Sequence, residues 1–358
     1  MLARRLRHRA LDLPARKRGS HEAGARRPPV IPPEADDVLD AWRLPRPRAL
    51  VPPEGGYQNA TVLVSCVAGE FVLRLYTNVA DPGHQRFEHE LLRKLAAAEL
   101  PFAVPRPLPS DDGDTLRVVA GRLAALFVRI PGDPLPKDGG PALRQAAAAM
   151  ARLDVALERL VGFQTRPPAF DGDLRHVHAL VDDFEDAVSE SGLDPERRIE
   201  LRAVLENTAE LAAPLYASLP QQITHGDFAF GNTLVQDGAV TGLLDFEHSG
   251  FDVRAMDLAV GLYRFPAHED ALGQCELFGQ AYSSVLALDP AEVLALPALL
   301  NLRAGVSFAH WIGRMRAGLA DIGEVRPRAR RALFTAKWVA ENGEELARRG
   351  LGWIGERV

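Results

Sequence analysis

One stretch of the sequence, ITHGDFAFGNTLVQDGAVTGLLDFEHSGFDVRAMDLA at residues 223–259, carries most of the information about this chain. A His-Gly-Asp triplet ending at Asp227 is followed by Asn232, and Asp245 comes thirteen residues later. Metal-dependent phosphoryl transfer requires this order of carboxylate, amide and carboxylate. One carboxylate accepts the proton of an attacking hydroxyl, while an amide oxygen and a second carboxylate hold Mg²⁺ on the nucleotide phosphates.

The local structure predicted for this stretch brings the two metal ligands to one place. Two short apolar runs, Thr233–Val235 and Val240–Leu244, flank the Asp-Gly pair at 237–238, which is a strong signal for a tight hairpin. Asn232 then precedes one strand and Asp245 follows its partner, at the same end of the hairpin. The alternative is an ordinary surface loop, because Asp, Asn and Gly favour turns in any context.

These residues resemble the signature of the aminoglycoside phosphotransferase and choline kinase superfamily, an H-G-D-x4-N loop followed by I/L-D-F/x-E/D. The end of the stretch, from Gly250 through Arg254 to Asp257-Leu258-Ala259, is similar to the G-x3-R-x2-D-L-A that closes the signature. The resemblance implies an α+β, protein-kinase-like fold with a small antiparallel-sheet lobe and a mostly helical lobe. It also implies transfer from ATP, with Mg²⁺, to a hydroxyl of a small molecule.

Within this resemblance, each polar residue of the stretch has an expected role. Asp227 orients the acceptor hydroxyl and takes its proton, since phosphoryl transfer depends mainly on position and charge neutralisation. Asn232 and Asp245 hold Mg²⁺, which prefers oxygen ligands. Glu247 is expected to hold a second ion through water, although a salt bridge to Arg254 explains it equally well.

Two further residues of the stretch are expected to support the loop rather than to react. His225 is predicted to anchor the loop through hydrogen bonds. Asp257, at the start of a predicted helix, is predicted to brace the backbone of the loop rather than to touch substrate.

The bulk composition fits two lobes around a large core. The chain has 358 residues, of which 47% are hydrophobic and 25% are charged. Its two cysteines, far apart in sequence, argue against a disulfide framework and favour the cytoplasm. No apolar run approaches the ~18 residues of a membrane span, so none is predicted.

Charge is distributed unevenly along the chain. Residues 1–30 carry a net charge of +7, which leaves −13 for the rest of a chain whose total is −6. An acidic body argues against nucleic acid as a partner. Residues 1–47 are interpreted as a disordered basic leader, with a targeting peptide as the alternative, because they lack a continuous apolar segment and contain two proline pairs. The lobes are then predicted at residues 48–130 and 131–358.

The first lobe is predicted to bind the nucleotide. Gly55, Gly56 and Asn59 precede a β-hairpin formed by Thr61–Val67 and Phe71–Tyr76. Glycines ahead of such a hairpin let the backbone approach a phosphate closely. The segment also resembles the nucleotide loop of the homoserine kinase branch of the superfamily.

The second strand of that hairpin carries Arg74, where the resemblance predicts a lysine that contacts nucleotide phosphates. Arginine can bind phosphate through two donors, but an exposed strand arginine is the alternative. A helix predicted between Asp81 and Ala98 is expected to supply the acid that pairs with it. Glu90 is favoured because it directly precedes Leu91-Leu92, and Glu88, on a different face, is the rival.

Two more strands, Thr115–Val119 and Arg122–Ile130, complete the predicted first lobe. Phe127–Gly132 is interpreted as the hinge between the lobes, where backbone groups, including that of Val128, are expected to bond an adenine edge. Beyond the hinge, apolar periodicity at 143–161 and 177–188 predicts helices. Two Asp-Pro pairs, at 194–195 and 289–290, predict the starts of two more helices.

The sequence leaves the acceptor open. Acidic residues between positions 182 and 190 would suit a cationic aminoglycoside or an amino alcohol, although such clusters are commonly solvated helix faces. Arg303, Arg314 and Arg316 would suit the carboxylate of a homoserine-like acceptor. Two alternative functions remain: a protein Ser/Thr kinase, which the short segment at 245–257 disfavours, and a nucleotide-binding module without transfer activity.

Overall fold

The first lobe is built on an antiparallel sheet. This computed structural model describes residues 31–32, 34–52, 60–76, 82–119, 121–136 and 139–355. The strands of the sheet are β1 Ala49–Val51, β2 Ala60–Cys66, β3 Gly69–Tyr76, β4 Arg117–Val119 and β5 Arg122–Val128. Their spatial order is β1-β2-β3-β5-β4, and every pair is antiparallel. The predicted hairpin and the two later strands are confirmed.

Both faces of this sheet are buried, because successive side chains of a strand point to opposite sides. On β5, Leu123 and Phe127 belong to the same core as Leu91 of α2 (Gly83–Leu95). Leu126, from the other face of β5, belongs to a second core. Helix α2 therefore covers one face of the sheet and carries its polar residues to the boundary between the lobes.

The second core lies between the sheet and the chain that precedes it. Val38, at the end of α1 (Ala35–Val38), and Trp42 are buried with the apolar residues of β2 and β3. The Trp42 indole N–H donates to the carbonyl of Leu108 at 3.0 Å. The prediction that the leader extends to residue 47 is therefore wrong for residues 34–47. A few apolar residues on one short turn show no clear period in sequence, so only packing reveals them.

The second lobe is mostly helical, as predicted. Its helices are α3 Leu143–Glu158, α4 Phe184–Ser189, α5 Pro195–Ser218, α6 Ala255–Leu262, α7 Ala271–Ser283, α8 Pro290–Arg316 and α9 Ile322–Trp353. Two small sheets lie among them, one of β6 Asp133–Pro134, β8 Thr233–Gln236 and β9 Ala239–Leu243, the other of β7 Gln221–Thr224 and β10 Gly250–Val253. The predicted α+β class with two lobes is confirmed.

The helix starts show which sequence signals are reliable. The Asp194 side chain accepts the N–H of Arg197 at 3.0 Å, and Asp289 forms a capping box with Glu292, so both predicted Asp-Pro starts are confirmed. The prediction of a helix over residues 177–188 is wrong for the first half of this range. Only α4 forms there, because the Asp183 carboxylate accepts the N–H of Glu185 at 2.7 Å and fixes the start of the helix.

Helix α8 is long and largely apolar. Among the described residues it alone is long and apolar enough to span a membrane by length and composition. However, 56% of its 18-residue apolar window is buried inside the protein, as in a core helix. Phe308 and Ile312 of this helix are fully buried, so α8 belongs to the core of the second lobe.

Candidate active site

The His-Gly-Asp loop follows β7 and is held from behind by one buried carboxylate. Asp257 of α6 accepts the backbone N–H of His225 at 2.6 Å and that of Gly226 at 2.8 Å. Gly226 has a φ of +77°, and a Cβ there would lie 2.4 Å from the carbonyl oxygen of His248. Only glycine fits this position without strain. The predicted bracing role of Asp257 is confirmed.

His225 ties this loop to the strand that ends near Asp245. Its Nε2 lies 3.0 Å from the carbonyl oxygen of Leu244, and its Nδ1 accepts the N–H of Asp227 at 3.3 Å. Since a carbonyl only accepts, one tautomer, protonated at Nε2, satisfies both contacts. The predicted anchoring role of His225 is confirmed, and the imidazole is fully used in holding the loop.

The predicted hairpin is present and gathers the polar residues at one end. Asp237 and Gly238 have φ angles of 52° and 78°, as the tight turn between β8 and β9 requires. At the far end of the hairpin, the N–H of Leu244 donates to the carbonyl of Asn232 at 2.7 Å. Asn232 and Asp245 therefore lie at the same end, as the sequence predicted.

Asp227 lies between an amide and a guanidinium. The Asn232 side-chain amide donates to the backbone carbonyl of Asp227 at 3.1 Å, which leaves the amide oxygen for another partner. Nη2 of Arg303, in α8, donates to Asp227 Oδ1 at 2.6 Å. Burial alone would raise the pKa of the Asp227 carboxyl, but Arg303, helped by His248, holds it below its ordinary value. Asp227 is therefore an ionised carboxylate at neutral pH.

A second guanidinium lies among carboxylates at the boundary with the first lobe. Arg74 of β3 donates from Nη1 to Glu88 Oε1 at 3.1 Å and from Nη2 to Asp245 Oδ1 at 3.0 Å. Oε2 of Glu247 lies 4.0 Å from the same guanidinium. Asp245 itself has a left-handed backbone with a φ of 69°. Three carboxylates surround one positive charge, which leaves an acidic end of the site.

Glu88, rather than Glu90, is the acid that pairs with Arg74, so the prediction of Glu90 is wrong. Glu88 is only 2% exposed and points to the sheet, and burial raises its pKa to about 7 against the opposing effect of Arg74. Glu90 turns away and accepts the backbone N–H groups of Gln164 and Thr165 at 2.8 and 2.9 Å. Two residues along a helix amount to more than half a turn, so the two acids cannot share a face.

Glu247 belongs to the acidic end, as its predicted role requires. The alternative, a salt bridge to Arg254, is not formed by these described side chains. Arg254 instead donates to Glu292 at 3.0 Å and lies 3.6 Å from Glu158. Its guanidinium thus joins helices of the second lobe and stays out of the site.

The acidic end offers the donor set of a magnesium site. Mg²⁺ prefers oxygen ligands and keeps several waters, so a carboxylate of Asp245, the amide oxygen of Asn232 and a water-mediated contact to Glu247 fit it. Among the described residues no group of three His, Cys, Asp or Glu side chains forms a complete metal site. An ion held here therefore also needs nucleotide phosphates and water as ligands.

Two parts of the predicted nucleotide site remain predictions. Gly55, Gly56 and Asn59 lie outside the described residues. Val128 ends β5, and its backbone N–H donates to the carbonyl of Arg106 at 3.3 Å. An adenine contact at Val128 would therefore have to use the carbonyl oxygen of this residue rather than its N–H.

Sequence reasoning missed His248, which acts electrostatically on Asp227 and begins a row of three histidine rings. The ring of His248 lies 5.8 Å from that of His310, which lies 6.1 Å from that of His178. The sequence suggests Arg303 only as a ligand for an acceptor carboxylate, and the structure pairs it with Asp227. Arg316 is used elsewhere, since it donates to Glu190 and to the carbonyl of Leu180. The sequence signal that could have identified the residues of α8 at this site is a polar residue at every third or fourth position of an apolar helix.

Comparison with known proteins is consistent with this geometry. Residues 49–295 match the phosphotransferase enzyme family. A homoserine kinase of Acidiphilium cryptum is 31% identical over 254 residues, which cover 68% of this chain and 74% of that protein. A homoserine kinase of Gluconobacter oxydans is 30% identical over 250 residues, which cover 68% of this chain and 75% of that protein.

Two solved structures show the same fold. A microcompartment-associated aminopropanol kinase aligns with a TM-score of 0.65 at 20% identity, over 88% of this chain and 98% of that chain. An amicoumacin kinase in complex with AMP-PNP, Ca²⁺ and Ami aligns with a TM-score of 0.63 at 14% identity, over 86% of this chain and 92% of that chain. At these identities the likeness extends to the fold alone.

Proposed function

The chain belongs to the phosphotransferase enzyme family and is a small-molecule kinase, and from this premise we propose that it uses ATP and Mg²⁺ to phosphorylate a hydroxyl group. The observation that carries the proposal is the gathering of Asp227, Asn232 and Asp245 around one loop, with Arg74 reaching Asp245 from the other lobe at 3.0 Å. The homoserine kinase relatives support a small hydroxyl acceptor.

In the proposed reaction the acceptor oxygen forms a bond to the γ-phosphorus of ATP. The bond from that phosphorus to the β,γ-bridging oxygen breaks, and ADP leaves with the electron pair. The hydroxyl proton passes to Asp227, which is poised for this because its carboxylate is ionised and positioned by Arg303. A weak base suffices, since position and charge neutralisation supply most of the rate enhancement.

The acidic end would hold the nucleotide through a cation. Asn232 and Asp245 would ligate Mg²⁺ and Glu247 would contact it through water. A bound Mg²⁺ supplies charge neutralisation for the phosphate oxygens. Arg74, kept in place by Glu88, would contact a phosphate directly. Because carboxylates outnumber the guanidinium at this end, a nucleotide polyanion would need the metal to bind there.

A mass-spectrometric screen tests this proposal. The protein is incubated with ATP, Mg²⁺ and a set of hydroxyl compounds, with excess chelator as the control. We expect a phosphorylated product and ADP in equal amounts, both lost in chelator. Full turnover in chelator, or nucleotide hydrolysis with no phosphorylated acceptor in the whole set, would contradict the proposal.

A further inference from the structure

The brace behind the His-Gly-Asp loop continues one layer deeper into the second lobe. Asp257 accepts the backbone N–H groups of His225 and Gly226, one on each oxygen, at 2.6 and 2.8 Å. The side chain of Asp154, from α3, lies next to Asp257, and the two carboxyl groups are within hydrogen-bonding reach of each other. Both aspartates are fully buried. A pair of carboxyl groups therefore lies directly behind the loop that carries Asp227.

Only one carboxyl oxygen of Asp154 is used by a conventional donor. The Tyr282 hydroxyl, from α7, donates to Asp154 Oδ2 at 2.7 Å. Oδ1 is shielded from solvent and accepts no hydrogen bond from a donor among the described residues. The Gln222 side-chain amide, from β7, donates at 3.0 Å to the backbone carbonyl of Asp154 and so serves the helix rather than the carboxyl. Oδ1 is therefore the oxygen left for Asp257.

Two ionised carboxylates would be unstable at this place. Burial removes their hydration, and like charges that share a site oppose each other's ionisation. The Arg254 guanidinium acts on Asp154, but it is bound to Glu292 at 3.0 Å and lies 3.6 Å from Glu158. Burial, and then the Asp257 carboxylate, raise the pKa of Asp154 well above its ordinary value. One proton is therefore retained by the pair at neutral pH.

The hydrogen bonds decide which aspartate carries this proton. Both oxygens of Asp257 accept backbone N–H groups, which can only donate, so these bonds favour a negative charge on Asp257. Oδ1 of Asp154 accepts nothing from a conventional donor. Buried polar atoms are almost always paired, and a proton on Oδ1 turns this unpaired acceptor into a donor to Asp257.

We propose that Asp154 is a positioning residue whose protonated carboxyl donates from Oδ1 to Asp257 and thereby fixes the carboxylate that holds the His-Gly-Asp loop. The inference rests on the function proposed above, in which Asp227 of this loop accepts the hydroxyl proton. Asp154 touches neither acceptor nor nucleotide, and its proton stays in place throughout the reaction. A chain of hydrogen bonds then runs from Tyr282 through Asp154 and Asp257 to the backbone of the loop.

Infrared spectroscopy detects the proton directly, because a protonated carboxyl group and a carboxylate absorb at different frequencies. The wild type is compared with Asp154→Asn at about pH 8.5, well above the usual carboxyl range. Glu88 and Asp252, whose pKa values burial raises to about 7, are also ionised there. We expect a protonated-carboxyl band in the wild type that Asp154→Asn lacks. Glu158→Gln, which removes an exposed acid of the same helix, is the matched control and should keep the band.

Hydrogen exchange tests the positioning role without any acceptor. Asn can donate to Asp257 while its oxygen accepts from Tyr282, as a protonated Asp does. Leu has the same branched shape and can do neither. We expect the amides of His225 and Gly226 to stay protected in Asp154→Asn. In Asp154→Leu they should exchange about tenfold faster, as for the loss of one hydrogen bond to a charged group.

The effect on phosphoryl transfer should follow the state of the loop. With ATP, Mg²⁺ and L-homoserine as the probe acceptor, kcat of Asp154→Leu should fall by up to about a hundredfold, since a small displacement of a reacting group has a cost of that order. Affinity for AMP-PNP, titrated with Mg²⁺, should change far less than kcat, because the nucleotide side is not altered. Asp154→Asn should keep both quantities near those of the wild type.

The outcomes separate this inference from the proposed function. A wild-type spectrum without the band, a band that survives Asp154→Asn, or unprotected loop amides in Asp154→Asn would each overturn the inference. Unchanged exchange in Asp154→Leu, or equal losses of kcat and AMP-PNP affinity, would overturn the positioning role. A wild-type protein that phosphorylates no hydroxyl compound would contradict the kinase function alone, because the spectrum and the exchange rates need no acceptor. The comparison with Asp154→Asn decides the matter even if Asp154→Leu does not fold.

Discussion

Arg74 and Arg303 lie at opposite ends of the site, and each donates a hydrogen bond to one aspartate of the same stretch. Arg74 reaches Asp245 at 3.0 Å, and Arg303 reaches Asp227 at 2.6 Å. Around Arg74 stand three carboxylates, so that end is acidic. Around Arg303 the balance is reversed, because Arg264 also acts electrostatically on the Asp227 carboxylate, so that end is basic.

The difference indicates that the same pair of residue types serves two purposes. At the acidic end the spare negative charge would attract the proposed divalent cation, and the cation would in turn attract phosphates. At the basic end the spare positive charge is compatible with an anionic acceptor. The carboxylates respond in opposite ways, since the pKa of Glu88 is raised to about 7 while that of Asp227 is lowered.

The largest expected effect comes from Asp227→Asn. This change keeps the size and much of the hydrogen bonding but removes the group that is proposed to accept the hydroxyl proton. We expect kcat for transfer to fall by about 10²–10⁴-fold, the usual contribution of a positioned acid–base group. Nucleotide affinity, measured by titration with Mg²⁺ present, should hardly change. Asp245→Asn is the contrast, because it should weaken Mg²⁺-nucleotide binding as well as turnover.

If Asp227→Asn and Asp245→Asn lose nucleotide affinity equally, the two ends of the site do not have the separate roles proposed for them. Wild-type transfer by the Asp227 variant would remove this residue from the mechanism. Melting temperatures of both variants, measured alongside, show whether either change acts through the fold instead.

A smaller effect is expected at the acidic end from Glu88→Gln. Loss of the carboxylate frees the Arg74 guanidinium and should weaken nucleotide binding by about tenfold, as for a lost hydrogen bond to a charged group. A double-mutant cycle of Arg74→Ala with Glu88→Gln should give a coupling energy of about 0.5–3 kcal/mol. Glu90→Gln is the matched control on the same helix, and its coupling to Arg74 should be near zero. Coupling of Arg74 to Glu90 but not to Glu88 would instead identify Glu90 as the partner of Arg74.

The smallest expected effect is a change of nucleotide affinity with pH. Between about pH 8 and about pH 6 a proton binds Glu88, whose pKa is raised to about 7, and its hold on Arg74 weakens. Nucleotide affinity should therefore fall across this range in the wild type and stay level in Glu88→Gln. Asp227 stays ionised over the same range, so the chemical step should not change with it.

The stability of the folded protein should change with pH in the opposite direction to its nucleotide affinity. The pKa of Glu88 in the folded protein lies above the 4.5 of the free side chain, so the ionised form is the less favourable one in the fold. Stability from this group is fully present below about pH 4.5 and is lost as the pH rises through about 7. Lower nucleotide affinity near pH 6 without a lower melting temperature would support this account. A parallel loss of both would contradict it.

Prediction from sequence succeeded where the signal was local. The hairpin at 233–243, the helix starts at Asp194 and Asp289, and the supporting roles of His225 and Asp257 are all confirmed. Prediction failed where the choice between two residues depends on which face of a helix meets the sheet, as with Glu88 and Glu90. It also failed for residues 34–47, since a segment with few apolar residues is recognised only by the surface it covers.

The sequence by itself determined the order and spacing of Asp227, Asn232 and Asp245, because one loop and one hairpin place them within a short stretch of chain. The tertiary structure decided which groups surround them. Arg303 lies 76 positions from Asp227, and Arg74 lies 171 positions from Asp245. Contacts over such separations depend on how the lobes and helices pack, so the charge at each end of the site follows from the folded chain alone.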